Sequence, residues 1–274
     1  MRTLIHLSDL HFGRVEQALL APLSKLVASL APDVVVVSGD LTQRARSHEF
    51  RAARAFLDSL PGPRVVVPGN HDVPLYNVAA RFLGPLVKYR RFFGADLAPE
   101  FVDEEIAVLG VNTARSLTFK DGRISGEQIE QLRRRLARLA AGLTTVVVSH
   151  HPFDLPAYFD SGHLVERAPL AMDMFADCGV DLLLAGHLHA SHAGNSAARY
   201  QIAGYAALMV QAGTATSTRG RGEANSFNAI RVARGRIEVD RYSWDEAVGA
   251  FALAASEAFE RRGDVWGAPT ADNP

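Results

Sequence analysis

Five short apolar runs, each stopped by glycine, serine or proline and followed at once by a histidine, aspartate or asparagine, set the pattern of this chain. Leu4 to Leu7 runs into Ser8-Asp9, Val34 to Val37 into Ser38-Gly39-Asp40, and Val65 to Val67 into Pro68-Gly69-Asn70. Val146 to Val148 runs into Ser149-His150, and Leu182 to Leu184 into Ala185-Gly186-His187. Continuous apolar runs of this length, bounded by turn formers, predict strands buried on both faces. Ligand sites of open α/β sheets lie at the carboxyl ends of such strands, so the five are expected to deliver their polar residues to one rim.

Between these strands the apolar spacing changes to three and four. Val15, Leu19, Leu23, Leu26 and Leu30 predict one helix; from Ser47, Phe50, Ala53, Phe56, Leu57 and Leu60 predict another that stops at Pro61-Gly62. Ser125 and Gln128 stand at capping-box spacing ahead of Ile129, Leu132, Leu136 and Leu139. The first 70 residues thus read βαβαβ, a parallel unit with right-handed crossovers. Val73 to Gly94, rich in bulky and basic residues, reads as a helical or looped insert near the mouth of the site. Phe101 to Val111 reads as a hairpin through Asp103-Glu104-Glu105. Arg199 to Ala212 and Phe227 to Ser243 read as further antiparallel strands, the latter turning at Arg234-Gly235, and this hairpin-rich half implies a second sheet. Residues 1–243 read as one catalytic domain. Residues 244–274, where alanine alternates with charge, read as a C-terminal extension that frays at its end.

Composition narrows the functions available. The chain has 274 residues, 48% hydrophobic, with 29 basic against 30 acidic residues and a formal net charge of −1. No sequence-wide field exists to hold a nucleic-acid polymer, and Arg133-Arg134-Arg135 falls on the solvated face of a helix. No apolar run approaches the roughly 20 residues that span a bilayer, and the stretch before His6 is too short for a signal-peptide core. The single cysteine, Cys178, excludes an internal disulfide and reads as a spectator among apolar neighbours. The expectation is a cytoplasmic protein acting on a small substrate, with neither nucleic acid nor membrane as partner; oligomeric state is not legible.

The strand-end clusters Asp9-Leu10-His11, Gly39-Asp40, Gly69-Asn70-His71-Asp72, His150-His151-Pro152 and Gly186-His187-Leu188-His189 carry the chemistry. Phosphate esters resist water because the nucleophile is weak, the phosphorus is shielded and the leaving alkoxide is poor. Two divalent ions about 3.5–4 Å apart address all three, and holding them so close needs a bridging carboxylate, for which Asp40 is the natural residue. Imidazole, carboxylate and amide donors without thiolate suit manganese, iron, zinc or cobalt. Asp9 and His11 are two apart, as are His187 and His189, so a local turn must bring each pair to one cavity.

The ordered set D-x-H, G-D, G-N-H-D, H-x-P and G-H-x-H resembles the calcineurin-like metallophosphoesterase superfamily. Gly213 to Ser217, Arg219, Arg221 and Asn225 to Asn228 resemble its bacterial members related to class III cyclic-nucleotide phosphodiesterases. The resemblance implies a four-layer α/β/β/α sandwich of two mixed β-sheets flanked by helices. It implies one ion held by Asp9, His11 and His189, another by Asn70, His150 and His187, and Asp40 between them. It also implies His71 as acid or charge stabiliser at the leaving group, Asp72 orienting its ring, and a metal-bound hydroxide as nucleophile. The expected activity is hydrolysis of a small phosphodiester, 3',5'-cyclic nucleotides among the substrates; the alternatives are a phosphomonoesterase or protein phosphatase, and a catalytically silent scaffold.

Several residues stand outside that set. His6 reads as packed or hydrogen-bonded within its strand, His48 as the start of a helix, and His163 and His192 as loop residues without a ligand role. His151 is expected to point away from His150 if the segment stays extended, with lining of the pocket as its functional alternative. Arg219 and Arg221 are either phosphate-binding forks or solvated charges. Asn112 reads as a strand-end amide that satisfies backbone groups, and Phe153 replaces a second proline found in several relatives.

Overall fold

The computed structural model describes residues 1–118, 120–156, 161–218 and 222–269. Strand β1 (Arg2–Leu7), helix α1 (Gln17–Ser29), β2 (Val34–Val37), α2 (Ser47–Asp58) and β3 (Arg64–Val66) form the expected βαβαβ unit, with β2 parallel to both β1 and β3. The uninterrupted apolar runs have the predicted cause. Leu4, Val34, Val36 and Val65 face one core, while Ile5, Leu7, Val35 and Val37 face another on the opposite side of the same strands.

The segment after β3 makes a 3₁₀ turn at Asn70–Asp72 and then α3 (Val78–Leu83) and α4 (Val87–Phe93), so the insert is helical. Phe50 of α2 meets Tyr89, Phe92 and Phe93 of α4 with ring centroids 5.9–6.5 Å apart. The buried Arg81 ties α3 down by donating to the carbonyls of Pro74, Ser116 and Thr118. The hairpin β4 (Glu100–Val102) and β5 (Ile106–Gly110) lies where expected. It precedes α5 (Gly126–Leu136), whose capping box joins Ser125 and Gln128. Next come β6 (Thr144–Val148), α6 (Ala168–Cys178) and β7 (Leu182–Ala185). Cys178 ends α6 half-buried, and burial pushes its thiol pKa up. The chain finishes with β8 (His192–Asn195), β9 (Tyr205–Ala206), β10 (Leu208–Gln211), β11 (Ser226–Ala233), β12 (Arg236–Asp245), β13 (Ala250–Arg262) and β14 (Asp264–Gly267).

Two mixed sheets result, in the orders β3-β2-β1-β11-β12-β13-β14-β9 and β4-β5-β6-β7-β10-β8. Their facing sides bury Leu4, Val36, Val108, Val146, Leu184 and Val210. The outer side of the first is covered by Leu19, Leu23 and Val27 of α1 and Phe50 and Phe56 of α2; the outer side of the second by Ile129 and Leu132 of α5 and Met172 and Phe175 of α6. This is the helix, sheet, sheet, helix layering that the resemblance implied.

The division between the sheets differs from the expectation. The late antiparallel strands do not form a sheet of their own: β11 pairs with β1, Leu4 opposite Ile230 and His6 opposite Asn228, and extends the parallel unit. An open edge at β1 would leave a row of backbone groups unpaired, and β11 has the two-sided apolar pattern needed to fill it. The second sheet is instead parallel at its centre, since β10 runs parallel to β7 and only β4 and β8 are antiparallel to their neighbours. Within Arg199 to Ala212, only Tyr205–Ala206 and Leu208–Gln211 are strand. The residues set apart as an extension complete β12 and supply β13 and β14, and Trp266 is buried between the sheets with its indole N–H on Asp181 at 3.0 Å. Alanine alternates with charge in β13 because much of that strand faces solvent. Of residues 268–274, where fraying is expected, 270–274 lie outside the described residues. Among the described residues, no helix is long and apolar enough to cross a membrane.

Candidate metal centre and active site

Ligand-type side chains reach one cavity because the backbone turns sharply where the strands stop. Among the described residues eight non-glycine positions have positive φ, and five of them are Asp9 (53°), His11 (48°), Asp40 (51°), His187 (75°) and His189 (59°). A non-glycine residue held there costs on the order of 1–3 kcal/mol, so the surrounding structure must impose it. This is the local turn that the two-residue spacings require. Gly69 belongs to the same device: a Cβ there would lie 2.2 Å from Asp40 Oδ1, so only glycine lets the Asn70 turn approach Asp40.

The donors converge in overlapping groups. Asp9, His11 and His189 bring ligand atoms within 4.8 Å of one another, as do Asp9, Asp40 and His150. Asp9 Oδ1 lies 3.4 Å from His11 Nε2 and 3.3 Å from His189 Nε2. Asp40 faces both groups, its Oδ2 3.7 Å from His11 Nε2 and its Oδ1 3.4 Å from His150 Nε2. Asn70 Oδ1 is 3.1 Å from His150 Nε2, and the rings of His150 and His187 are 5.2 Å apart. All seven proposed donors are therefore brought together.

Outer partners fix the rings. His150 donates through Nδ1 to the Ser38 carbonyl at 2.8 Å, and His189 Nδ1 bonds Thr214 Oγ1 at 2.8 Å, so each turns Nε2 inward. Asp9 Oδ2 accepts from Ser8 Oγ at 2.7 Å and from the His187 amide at 3.0 Å. Such partners set tautomer and orientation in metal sites. Sequence reasoning missed Ser8, Ser38 and Thr214, although the first two immediately precede the Asp9 and Gly39-Asp40 clusters and were legible as neighbours.

Two residues depart from their expected places. The ring of His71 is held by Gln43, whose carbonyl accepts from Nδ1 at 3.0 Å. Asp72 instead accepts from the amides of Leu41, Thr42 and Gly69 and from the Thr42 hydroxyl, so it builds the turn beneath His71 rather than orienting its ring. His151 does not point away: β6 ends at Val148, the chain is no longer extended, and its ring lies 4.8 Å from His150 and 4.7 Å from His187. Both its nitrogens are engaged, Nδ1 with Thr113 Oγ1 and Nε2 with the Lys120 carbonyl, each at 2.8 Å. His6 is buried in β1 and bonds Ser38 Oγ at 2.9 Å, as expected of a strand histidine. His192 lies in β8, and the Asn112 side chain caps Ala114 N at 2.9 Å. Arg219 and Arg221 lie outside the described residues.

The electrostatics are those of a cation cradle. Burial alone would raise both carboxyls, yet His189, His11 and His150 hold Asp9 well below the usual carboxylate range, and His150, His71 and His11 do the same for Asp40. Burial opposes charge on His150, but Asp40 and Asp9 outweigh it and lift its pKa to about 9. Burial, aided by His150, lowers His187 to about 3. Among the described residues, Asp9 Oδ1 and both ring nitrogens of His11 are buried without a hydrogen-bond partner. Orphaned acceptors beside ionised carboxylates fit divalent cations.

The lifted His150 pKa gives a pH test. In metal-free protein this group contributes stability that is full below 6.5 and is lost as pH rises through 9. Urea unfolding of chelator-treated protein is expected to show stability falling as pH rises between those limits, by roughly 1 kcal/mol per pH unit. His150→Ala should flatten that slope, and a wild-type protein already flat over this interval would refute the account.

Helix-flanked sheets that present buried aspartate and histidine donors at a shared rim define the scaffold of a metal-dependent hydrolase. Residues 2–191 match the model of the calcineurin-like phosphoesterases, and the chain belongs to that family. It is 28% identical over 197 residues to the glycerophosphodiester phosphodiesterase GpdQ of Enterobacter lignolyticus (strain SCF1), covering 64% of this chain and 69% of that one. It is 30% identical over 161 residues to the 3',5'-cyclic adenosine monophosphate phosphodiesterase CpdA of Escherichia coli (strain K12), covering 57% and 54%. The chain thus spans about two thirds of one curated relative and about half of the other. The purple acid phosphatase PPD1 of yellow lupin shares the fold, with a TM-score of 0.71 over 100% of this chain and 57% of that one at 13% identity.

Proposed function

We propose that this protein is a dinuclear metal-dependent phosphodiesterase acting on a small phosphodiester, with 3',5'-cyclic nucleotides among the substrates. The observation that carries the reading is the placement of Asp40, whose Oδ2 lies 3.7 Å from His11 Nε2 and whose Oδ1 lies 3.4 Å from His150 Nε2. Asp9, His11 and His189 would hold one ion; Asn70, His150 and His187 would hold the other. Bound there, the ions supply an activated water and neutralise the phosphoryl oxygens. His71 stands at the edge of the cluster, its ring 4.9 Å from that of His11 and its Nδ1 committed to Gln43, and serves the leaving oxygen as acid or charge stabiliser. That the glycerophosphodiester and cyclic adenosine monophosphate phosphodiesterases described above are among its relatives supports the diester preference.

The test strips the protein of metal and restores manganese, iron, zinc or cobalt singly, with stoichiometry measured beside hydrolysis. Two ions per chain and faster turnover of a bis-aryl than a mono-aryl phosphate are expected, followed by activity on cyclic AMP. Faster monoester turnover would make it a phosphomonoesterase. Two bound ions with no turnover of any ester would make it a scaffold.

A further inference from the structure

Asp121, His163 and His187 bring one ligand-type atom each to within 4.8 Å of one another. His187 belongs to the proposed metal centre, whereas Asp121 and His163 are exposed and have no part in it. Two donors are too few to hold a transition ion of their own. They nevertheless stand on a built mount at the mouth of the cluster. The Lys120 carbonyl is fixed by His151 Nε2, and a Cβ on Gly122 would lie 2.3 Å from His151 Nδ1, so the loop passes in close contact with that buried ring. Glu166 N donates to the Gly122 carbonyl at 2.8 Å, and Val165 N to the Pro152 carbonyl at 2.9 Å. The loops carrying Asp121 and His163 are thereby stitched to each other and to the His150-His151-Pro152 segment. His151, with both nitrogens occupied, serves as the post.

From this placement we propose that Asp121 and His163 recognise a hydroxyl group on the alcohol arm of the phosphodiester, an inference that rests on the phosphodiesterase reading above. A carboxylate only accepts hydrogen bonds, and an imidazole can both donate and accept; together they match a hydroxyl, which does both. Carboxylates at strand-end loops bind ribose hydroxyls in the same way in dinucleotide folds. The negative charge of Asp121 also repels the dianion of a monoester more than the monoanion of a diester. The substrate class selected is a diester with a polyol arm, such as glycerol or ribose, over one with a plain alkyl arm.

Calorimetry on the manganese-loaded full chain, with glycerol 3-phosphate and propyl phosphate as probes, reads the hydroxyl contribution at equal phosphate charge. Wild-type protein is expected to favour glycerol 3-phosphate by about tenfold, the effect of one or two hydrogen bonds. Asp121→Ala and His163→Ala should each bring the two affinities together with manganese stoichiometry unchanged; propyl phosphate binding should stay as in wild type for His163→Ala and tighten for Asp121→Ala, where the repelling charge is gone. Normal manganese uptake with equal wild-type affinities overturns the inference alone. So does a preference that survives both substitutions, or a variant that loses an ion, since the residue is then a ligand. A wild-type protein that takes up no manganese overturns the phosphodiesterase reading, and this inference with it.

Discussion

Asp40→Ala is expected to remove turnover and metal uptake together. Asp40 is buried, sits at a φ of 51° and directs one oxygen to each donor group, so no neighbour can take its place as the proposed bridge. Its Oδ1 also accepts the His71 amide at 2.8 Å, so its loss loosens the turn that carries both Asn70 and His71. Removing a residue that merely orients a ligand costs roughly 10- to 100-fold in affinity or activity, and loss of a shared ligand should exceed that range. Manganese content by atomic absorption and hydrolysis of a bis-aryl phosphate read the two effects. Asp40→Asn serves as a control: its amide oxygen can still accept from the His71 amide while the bridging charge is gone, so a folded variant that binds few ions assigns the effect to charge. Two ions retained by Asp40→Ala, with a rate within tenfold of wild type, would refute the bridge.

The site was legible in the sequence to the extent that its residues have no packing explanation. A histidine or aspartate placed just past a fully buried strand cannot be satisfied by the core, and five such placements in order leave few purposes other than ligation. What the sequence did not carry is what depends on long-range pairing. The bond from His71 to Gln43 ends on a backbone carbonyl, which has no residue signature, so nothing in the sequence weighed against the role that the family resemblance implied for Asp72. The β1–β11 pairing joins residues more than 220 apart and decides which sheet receives the last four antiparallel strands. Strand β8 reads His-Ala-Gly-Asn, with no apolar run to announce it, and is strand because β10 offers it a partner. The strand rule also misplaced His151: alternation of faces holds only while the chain stays extended, and β6 had already ended.

His71→Ala is expected to keep both ions and still lose most of the rate. The backbone bond from residue 71 to Asp40 Oδ1 survives the substitution, and none of the seven proposed ligands is touched, so metal stoichiometry should stay at the wild-type value. The missing imidazole removes either a proton or a positive charge from the leaving oxygen, and general acids contribute typically about 10²- to 10⁴-fold. Leaving groups separate the two roles. A nitrophenolate departs without a proton, whereas an alkoxide needs one; an acid role therefore predicts a rate loss much larger for alkyl than for nitrophenyl diesters. Equal losses across that series would leave charge stabilisation as the role of His71. A variant with two ions and wild-type rates on alkyl diesters would exclude His71 from the chemistry.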